Sequence, residues 1–169
     1  MTLAEELSLD VPFSDLRHEA MLNIVHTANH LALAGEALFR QFNLTQAQFN
    51  VLFALKYKEI ELTQSDLGKR LVVTRATITS VLDKLEQKGL VKRENVPGNR
   101  RIYHVSLTAA GEKLLDEVEP FYREKIHEAL VDLTDEECQE LIGFLERVRA
   151  RTVAMRDEAP VGGLNYGRK

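Results

Sequence analysis

The chain has 169 residues, 44% hydrophobic and 28% charged, enough for one domain with appended helices and unlike a disordered segment. Its single cysteine, Cys138, excludes an internal disulfide framework and a thiolate-rich zinc site. A net charge of −4 hides a gradient: residues 69–101 carry nine basic and three acidic side chains, a local +6 that leaves −10 for the remainder, and local field rather than net charge steers a polyanion.

No apolar run approaches the roughly 18 residues of a membrane span, and residues 1–10 lack a basic-then-apolar signal pattern. The expectation is a protein of the reducing cytoplasm with no membrane partner.

Residues 1–13, ending just past Pro12, have no clear period and read as a flexible arm. From Ser14 to Phe42, Leu16, Ala20, Ile24, Ala28, Leu31, Ala34 and Leu38 recur at helical spacing. Such a helix is about 43 Å long at roughly 1.5 Å per residue, more than a small domain can cover. Thr45 and Gln48 form a capping box that opens a helix through Phe49, Leu52 and Leu55. Thr63, with Asp66 three residues on, starts a short helix to Leu71, and Thr74 caps another from Arg75 to Lys88 that Gly89 stops.

Two short strands follow, Leu90–Asn95 and Arg101–Leu107, joined by Val96-Pro97-Gly98-Asn99, a type II turn by its Pro and Gly positions. In the second strand Tyr103, Val105 and Leu107 share one face and Ile102, His104 and Ser106 the other. Thr108 caps a long helix that Pro120 should kink or interrupt. Thr134 and Glu137 open a last helix through Leu141, Phe144, Leu145, Val148 and Met155, with a disordered tail expected over 157–169. There are no internal repeats.

Two short helices joined by only Val72-Val73-Thr74, then a hairpin, describe a winged helix-turn-helix over 44–107. In the second of these helices Ile78, Val81, Leu82 and Leu85 cluster on one side; Ala76, Ser80, Asp83 and Gln87 face the other, flanked by Arg75, Thr79 and Lys84. A short polar face at the helix start suits entry into the major groove of double-stranded DNA. Arg75 can grip guanine, with Thr74, Ala76, Thr77, Thr79 and Ser80 beside it for bases or phosphates; Gln64 and Ser65 suit a phosphate. Lys84, Lys88, Lys92 and Arg93 read as backbone clamps, and Arg100 and Arg101 at the hairpin tip suit a narrow minor groove.

The segments Arg70-Leu71-Val72-Val73-Thr74, Leu82 through Arg93, Asn99-Arg100-Arg101 and Val105 through Gly111 resemble the MarR family (multiple-antibiotic-resistance-type regulators). The resemblance implies a homodimer with interlocked terminal helices on a pseudo-palindromic operator. In many members it implies a small-molecule pocket as well. It places Arg101 at the family's minor-groove arginine, while Asn99 stands where the family has an aspartate brace. The expected fold is mainly α with a small β-wing. The winged domain is flanked by dimerisation helices over 14–43 and 108–156.

Independently of the family, the helices outside 44–107 carry more apolar stripe than about 65 residues can cover, which marks an interface. Residues 108–146 hold twelve acidic and three basic side chains and should face away from DNA.

The effector is open among three chemistries. An anionic or aromatic molecule needs cationic or hydrogen-bonding groups, for which Arg17, His18, His30 and Tyr122 are the candidates. A metal could use His26 and His30, one helical turn apart with Glu19 on the same stripe, but that stripe also holds Asn23 and reads as a solvated face, so no metal or cofactor is expected. Redox sensing through Cys138 is opposed by Glu136, Glu137 and Glu140 around it.

No phosphate-binding loop, nucleophile elbow or metal-hydrolase motif occurs, so an enzyme is not expected. The reading is a sequence-specific, ligand-responsive repressor. Its alternatives are a metal- or redox-responsive regulator of the same fold and a winged protein-interaction adaptor that does not bind DNA.

Overall fold

A computed structural model describes residues 2–11, 13–96 and 99–158, with only the backbone of 96, 99–101 and 156–158. In chain order the elements are α1 (Leu3–Glu6), α2 (Leu16–Arg40), α3 (Gln46–Lys56), β1 (Leu62–Thr63), α4 (Gln64–Arg70), α5 (Arg75–Gln87), β2 (Val91–Val96), β3 (Asn99–Leu107), α6 (Ala109–Ala129) and α7 (Asp135–Glu158). The mainly helical winged fold expected from the sequence is the fold observed.

Side-chain oxygens set the helix starts. Thr45 accepts from the Gln48 N–H at 3.2 Å while Gln48 accepts from the Thr45 N–H at 3.1 Å. The same reciprocal pair forms between Thr63 and Asp66 and between Thr134 and Glu137. Each satisfies two backbone donors that a helix end otherwise leaves open. The Asp66 carboxyl is held below the usual carboxylate range by its hydrogen bonds from the Thr63 hydroxyl and N–H.

Four departures from the sequence reading have physical causes. Residues 1–13 contain a helical turn, α1, because Thr2 and Glu5 form another capping box and Leu3 is buried. A third strand, β1, is too short to carry a period, yet it pairs antiparallel with β3 through Leu62 and Val105, giving the sheet order β1-β3-β2. The last helix runs to Glu158 rather than ending near Met155. The expected turn at Pro97-Gly98 and the remainder of the expected tail fall outside the described residues.

Fourth, of the kink or break expected at Pro120 the break does not occur: α6 continues through it. An interior proline costs a helix about 3 kcal/mol, so both flanks must be held. Just before it, the Lys56 ammonium of α3 donates to Asp116 at 2.6 Å and to Glu119 at 2.7 Å, and the Tyr57 hydroxyl donates to Glu119 at 2.5 Å. Just after it, Phe121 packs on Phe42, and Tyr122 packs on Phe39, Phe49 and Phe53. A break at Pro120 would undo one group or the other. Burial pushes the Glu119 carboxyl up, but the bonds from Lys56 and Tyr57 more than reverse it and leave it below its ordinary value; the bonds to Asp116 and Glu119 hold the Lys56 ammonium above its own.

The chain divides into two compact units, 1–124 and 125–169. In the first, one core joins Leu38 and Phe39 of α2, Phe49, Leu52 and Leu55 of α3, Leu67 of α4, Ile78, Leu82 and Leu85 of α5, Val105 of β3 and Leu115 and Val118 of α6. The C-terminal end of α2 thus belongs to the core of the winged domain rather than to a separate appendage. The N-terminal part of α2 leaves Leu16, Met21, Val25, Leu31 and Leu33 exposed. In the second unit, α7 buries no side chain among its described residues, and Ile142, Phe144 and Met155 are each more than half exposed.

Candidate nucleic-acid interface

The connection between α4 and α5 is built by backbone bonds. The Val73 N–H donates to the Gly68 carbonyl at 3.0 Å and the Val72 N–H to the Lys69 carbonyl at 3.2 Å. This is the double closure of a Schellman motif. It places Val72 in the left-handed region, φ +54°, a position glycine usually holds. Thr74 follows at once as the N-cap of α5, accepting from the Thr77 N–H at 3.2 Å. A second lock crosses the pair: the Gln64 amide donates to the Thr79 hydroxyl at 2.5 Å, and that hydroxyl donates to the Arg75 carbonyl at 2.7 Å.

With this geometry α5 buries Ile78, Leu82 and Leu85, half-buries Val81, and turns Arg75, Ala76, Thr77, Ser80, Lys84 and Gln87 outward. The outward surface is a shallow open concavity floored by Ala76 and Ser80, with Arg75 and Lys84 among its walls. Neither cation has an ion-pair partner among the described residues. Ser65, at the start of α4, is also exposed.

Other residues expected at this face are occupied elsewhere. Lys88, read from the sequence as a backbone clamp, turns back, donating to the Asn43 carbonyl and to Gln48 Oε1 at 3.1 Å, and ties the end of α5 to the start of α3. Arg93 is only 17% exposed, its guanidinium reaching Asp83 at 2.7 Å and Glu86 at 2.9 Å. It neutralises two carboxylates of α5 that would otherwise repel a polyanion. Sequence spacing could not reveal this pairing, which crosses from β2 to α5. Lys92 pairs with Glu94 at 3.1 Å but stays exposed. Gln64 and Thr79 are rivets within the motif rather than free donors, and Thr74 is a cap that also contacts the Thr77 hydroxyl at 2.8 Å. The side chains of Arg100, Arg101 and Asn99 lie outside the described residues.

The wing hangs on β3, which pairs with β2 from Val91 opposite Leu107 to Asn95 opposite Tyr103, then shifts register between Asn95 and Val96. His104 of β3 pairs with Glu61 just before β1. Gly111 fixes the exit of the wing: a Cβ there would lie 2.1 Å from the Leu90 carbonyl oxygen.

The candidate effector residues do not converge. Tyr122 sits in the aromatic cluster with Phe39, Phe49 and Phe53. His18 stacks edge-on against Phe13, and Arg17 is exposed beside it. Both lie roughly 18–20 Å along the α2 axis from His30 at about 1.5 Å per residue. His30 instead meets His26. Cys138 is half-buried in the first turns of α7.

The sequence profile of the MarR family matches residues 44–103, the segment containing α4, the turn and α5. The transcriptional regulator MhqR of Bacillus subtilis is 33% identical over 62% of this chain and 72% of its own length. The transcriptional repressor YetL of the same organism is 29% identical over 82% of this chain and 81% of its own. Among solved structures, BpsR of Bordetella bronchiseptica, described in terms of regulation of its DNA binding by 6-hydroxynicotinic acid, is 26% identical with a TM-score of 0.64, covering 75% of this chain and 98% of its own. MhqR and YetL are regulators of transcription, not enzymes. With the turn, the polar outer face of α5 and the three-stranded wing in place, the chain belongs to the MarR family of winged helix-turn-helix, DNA-binding transcriptional regulators.

Proposed function

We propose that the chain acts as a homodimeric, ligand-responsive repressor on a pseudo-palindromic double-stranded operator. The observation that carries the reading is the outer face of α5. It is small, polar and exposed, with Arg75 and Lys84 free of ion-pair partners among the described residues, and it is held at a fixed angle by the Gln64–Thr79 lock. Arg75, Ala76, Thr77 and Ser80 enter the major groove, where arginine takes guanine bidentately. Ser65 and Lys84 hold phosphates, and Arg100 and Arg101 reach the minor groove from the wing. Gln64, Thr74, Thr79 and Arg93 set the angle and charge of that surface without touching DNA.

Repression is supported by the name of YetL, and an effector by the description of BpsR. Two spacings of the recognition helices lie close in free energy, and an anionic aromatic molecule that prefers the spacing unsuited to DNA empties the operator.

Selection of bound duplexes from a random pool by the full chain tests this. An inverted repeat with half-sites about one turn apart, 34–36 Å, is expected. On that site Arg101→Ala weakens binding across all sequences, whereas Arg75→Ala also relaxes choice at one position by about 1–3 kcal/mol. The affinity of the wild-type chain falls with salt at a slope near −0.9 per phosphate contacted. Unchanged affinity in both variants would mean that the face is wrongly assigned.

A further inference from the structure

We propose that Glu6, His26 and His30 form a site for one first-row transition-metal dication of the zinc class. The His26 and His30 imidazoles leave α2 one turn apart, and their Nε2 atoms lie 3.1 Å from each other. Glu6 of α1 brings Oε2 to 3.0 Å from the same His26 nitrogen. All three ligand atoms lie within 4.8 Å of one another, and none of the three side chains is buried.

The separations fit an ion. Ligands about 2.0–2.2 Å from a tetrahedral centre lie roughly 3.3–3.5 Å apart, and the two close contacts here are a few tenths of an ångström shorter. Protons alone serve the cluster poorly. His26 Nε2 has two partners, and it can offer them one N–H or one lone pair. A dication accepts a lone pair from all three atoms at once.

The donor set also fixes the class of ion. Two imidazoles and one carboxylate favour zinc, cobalt, nickel or copper over magnesium and calcium, which take oxygen. Three protein ligands on an exposed surface leave a fourth position open to water.

Glu6 is delivered by an ordered segment. The Thr2–Glu5 capping box starts α1, buried Leu3 anchors it, and the Leu9 N–H closes its end on the Ala4 carbonyl at 3.0 Å. Glu19, the carboxylate that shares the α2 stripe with the histidines in the sequence, is roughly 10 Å from His26 along the helix axis, at about 1.5 Å per residue, and cannot serve. The ion therefore cross-links two segments twenty residues apart and pins α1 to α2.

Cobalt(II) titration of the untagged full chain tests the site, since cobalt replaces zinc and reports its coordination by visible absorption. Intense d–d bands saturating at one ion per chain, and bleached by Zn2+, are expected. His26→Ala and His30→Ala each abolish the bands, and Glu6→Gln weakens the ion by more than about tenfold, at least the effect of losing an outer-shell partner. Zn2+ at about a hundred times its Kd raises the Tm by roughly 5–10 °C, and the histidine variants, checked for native helicity by circular dichroism, lose that rise. Absence of the bands at millimolar Co2+, or their persistence in His26→Ala, overturns the site. No DNA enters the measurement, so its failure leaves the regulatory reading standing.

Discussion

At the scale of single residues, Gly111 gives the sharpest statement about how the wing returns to the helices. It is the third residue of α6, and Thr108 caps that helix by accepting from the Gly111 N–H at 3.1 Å while donating to the Gly89 carbonyl at 2.6 Å. Exchange of a helical glycine for alanine ordinarily stabilises a protein by about 0.4–1 kcal/mol through backbone entropy. Here a Cβ would fall 2.1 Å from the Leu90 carbonyl oxygen, a backbone atom that cannot swing aside. Overpacking then wins, at about 3 kcal/mol. Net of that entropic gain, Gly111→Ala should lower the Tm by roughly 4–10 °C in thermal circular dichroism. A rise instead of a fall would mean that α6 does not start against Leu90. Glycine at this position is visible in the sequence, but its reason is not, because the contact spans twenty-one residues and needs the hairpin between them.

Elements show why some of the fold was legible and some was not. Starts were legible, because a threonine whose hydroxyl can accept from the N–H three residues on is a local chemical device: Thr45, Thr63 and Thr134, with Gln48, Asp66 and Glu137 reaching back, form full capping boxes, and Thr74 and Thr108 cap alone. Stops were not. Four segments end in the same double closure, with left-handed residues Ser8, Asn43, Val72 and Gly89, and only Gly89 and, more weakly, Asn43 advertise it. The closure after α2 is supported by Leu44 and Phe39, both buried, and tertiary packing of this kind has no signature of its own in the sequence.

Val72 is the costly member of the set. A β-branched residue with positive φ loses roughly 1–2 kcal/mol relative to the right-handed region, and Val72, 79% exposed, has little packing to offset it. Glycine removes that strain but adds about 0.5–1 kcal/mol of unfolded-state entropy. Val72→Gly should therefore stabilise by about 0.5–1 kcal/mol, a rise in urea midpoint with unchanged m-value. A lower midpoint would show that the turn is not strained as described. Of the proposed DNA face, the polar side of α5 followed from helical periodicity alone. The diversion of Lys88 and Arg93 into internal contacts did not, since a basic residue reads the same whether it faces a phosphate or a carboxylate of its own chain.

For the whole molecule, the uncovered faces of α2 and α7 are the largest unmet demand. A helix of 24 residues with no buried side chain among its described residues gains little from propensity, because most helical stability in proteins comes from packing an apolar face. In α7 that face is Leu141, Leu145, Val148 and Met155, a heptad-like stripe. A two-fold dimer is the simplest cover, since the same patch then serves both subunits. Stable interfaces of this sort bury about 1,200–2,000 Å² or more.

The proposed dimer also sets operator affinity. Once one half-site is bound, the second binds intramolecularly, a gain of about 10²–10⁴ without any new contact. The double variant Leu141→Asp, Val148→Asp places two charges in the stripe and should run as a monomer of 19.2 kDa in light-scattering chromatography. The wild-type chain should run at twice that mass. The variant should bind the selected inverted repeat at least about a hundredfold more weakly, while its affinity for an isolated half-site stays within a few fold of the wild type. A wild-type chain that is monomeric at micromolar concentration, or a monomeric variant that binds the full repeat as tightly as the wild type, would separate the two halves of the proposal and leave α7 without the role assigned to it.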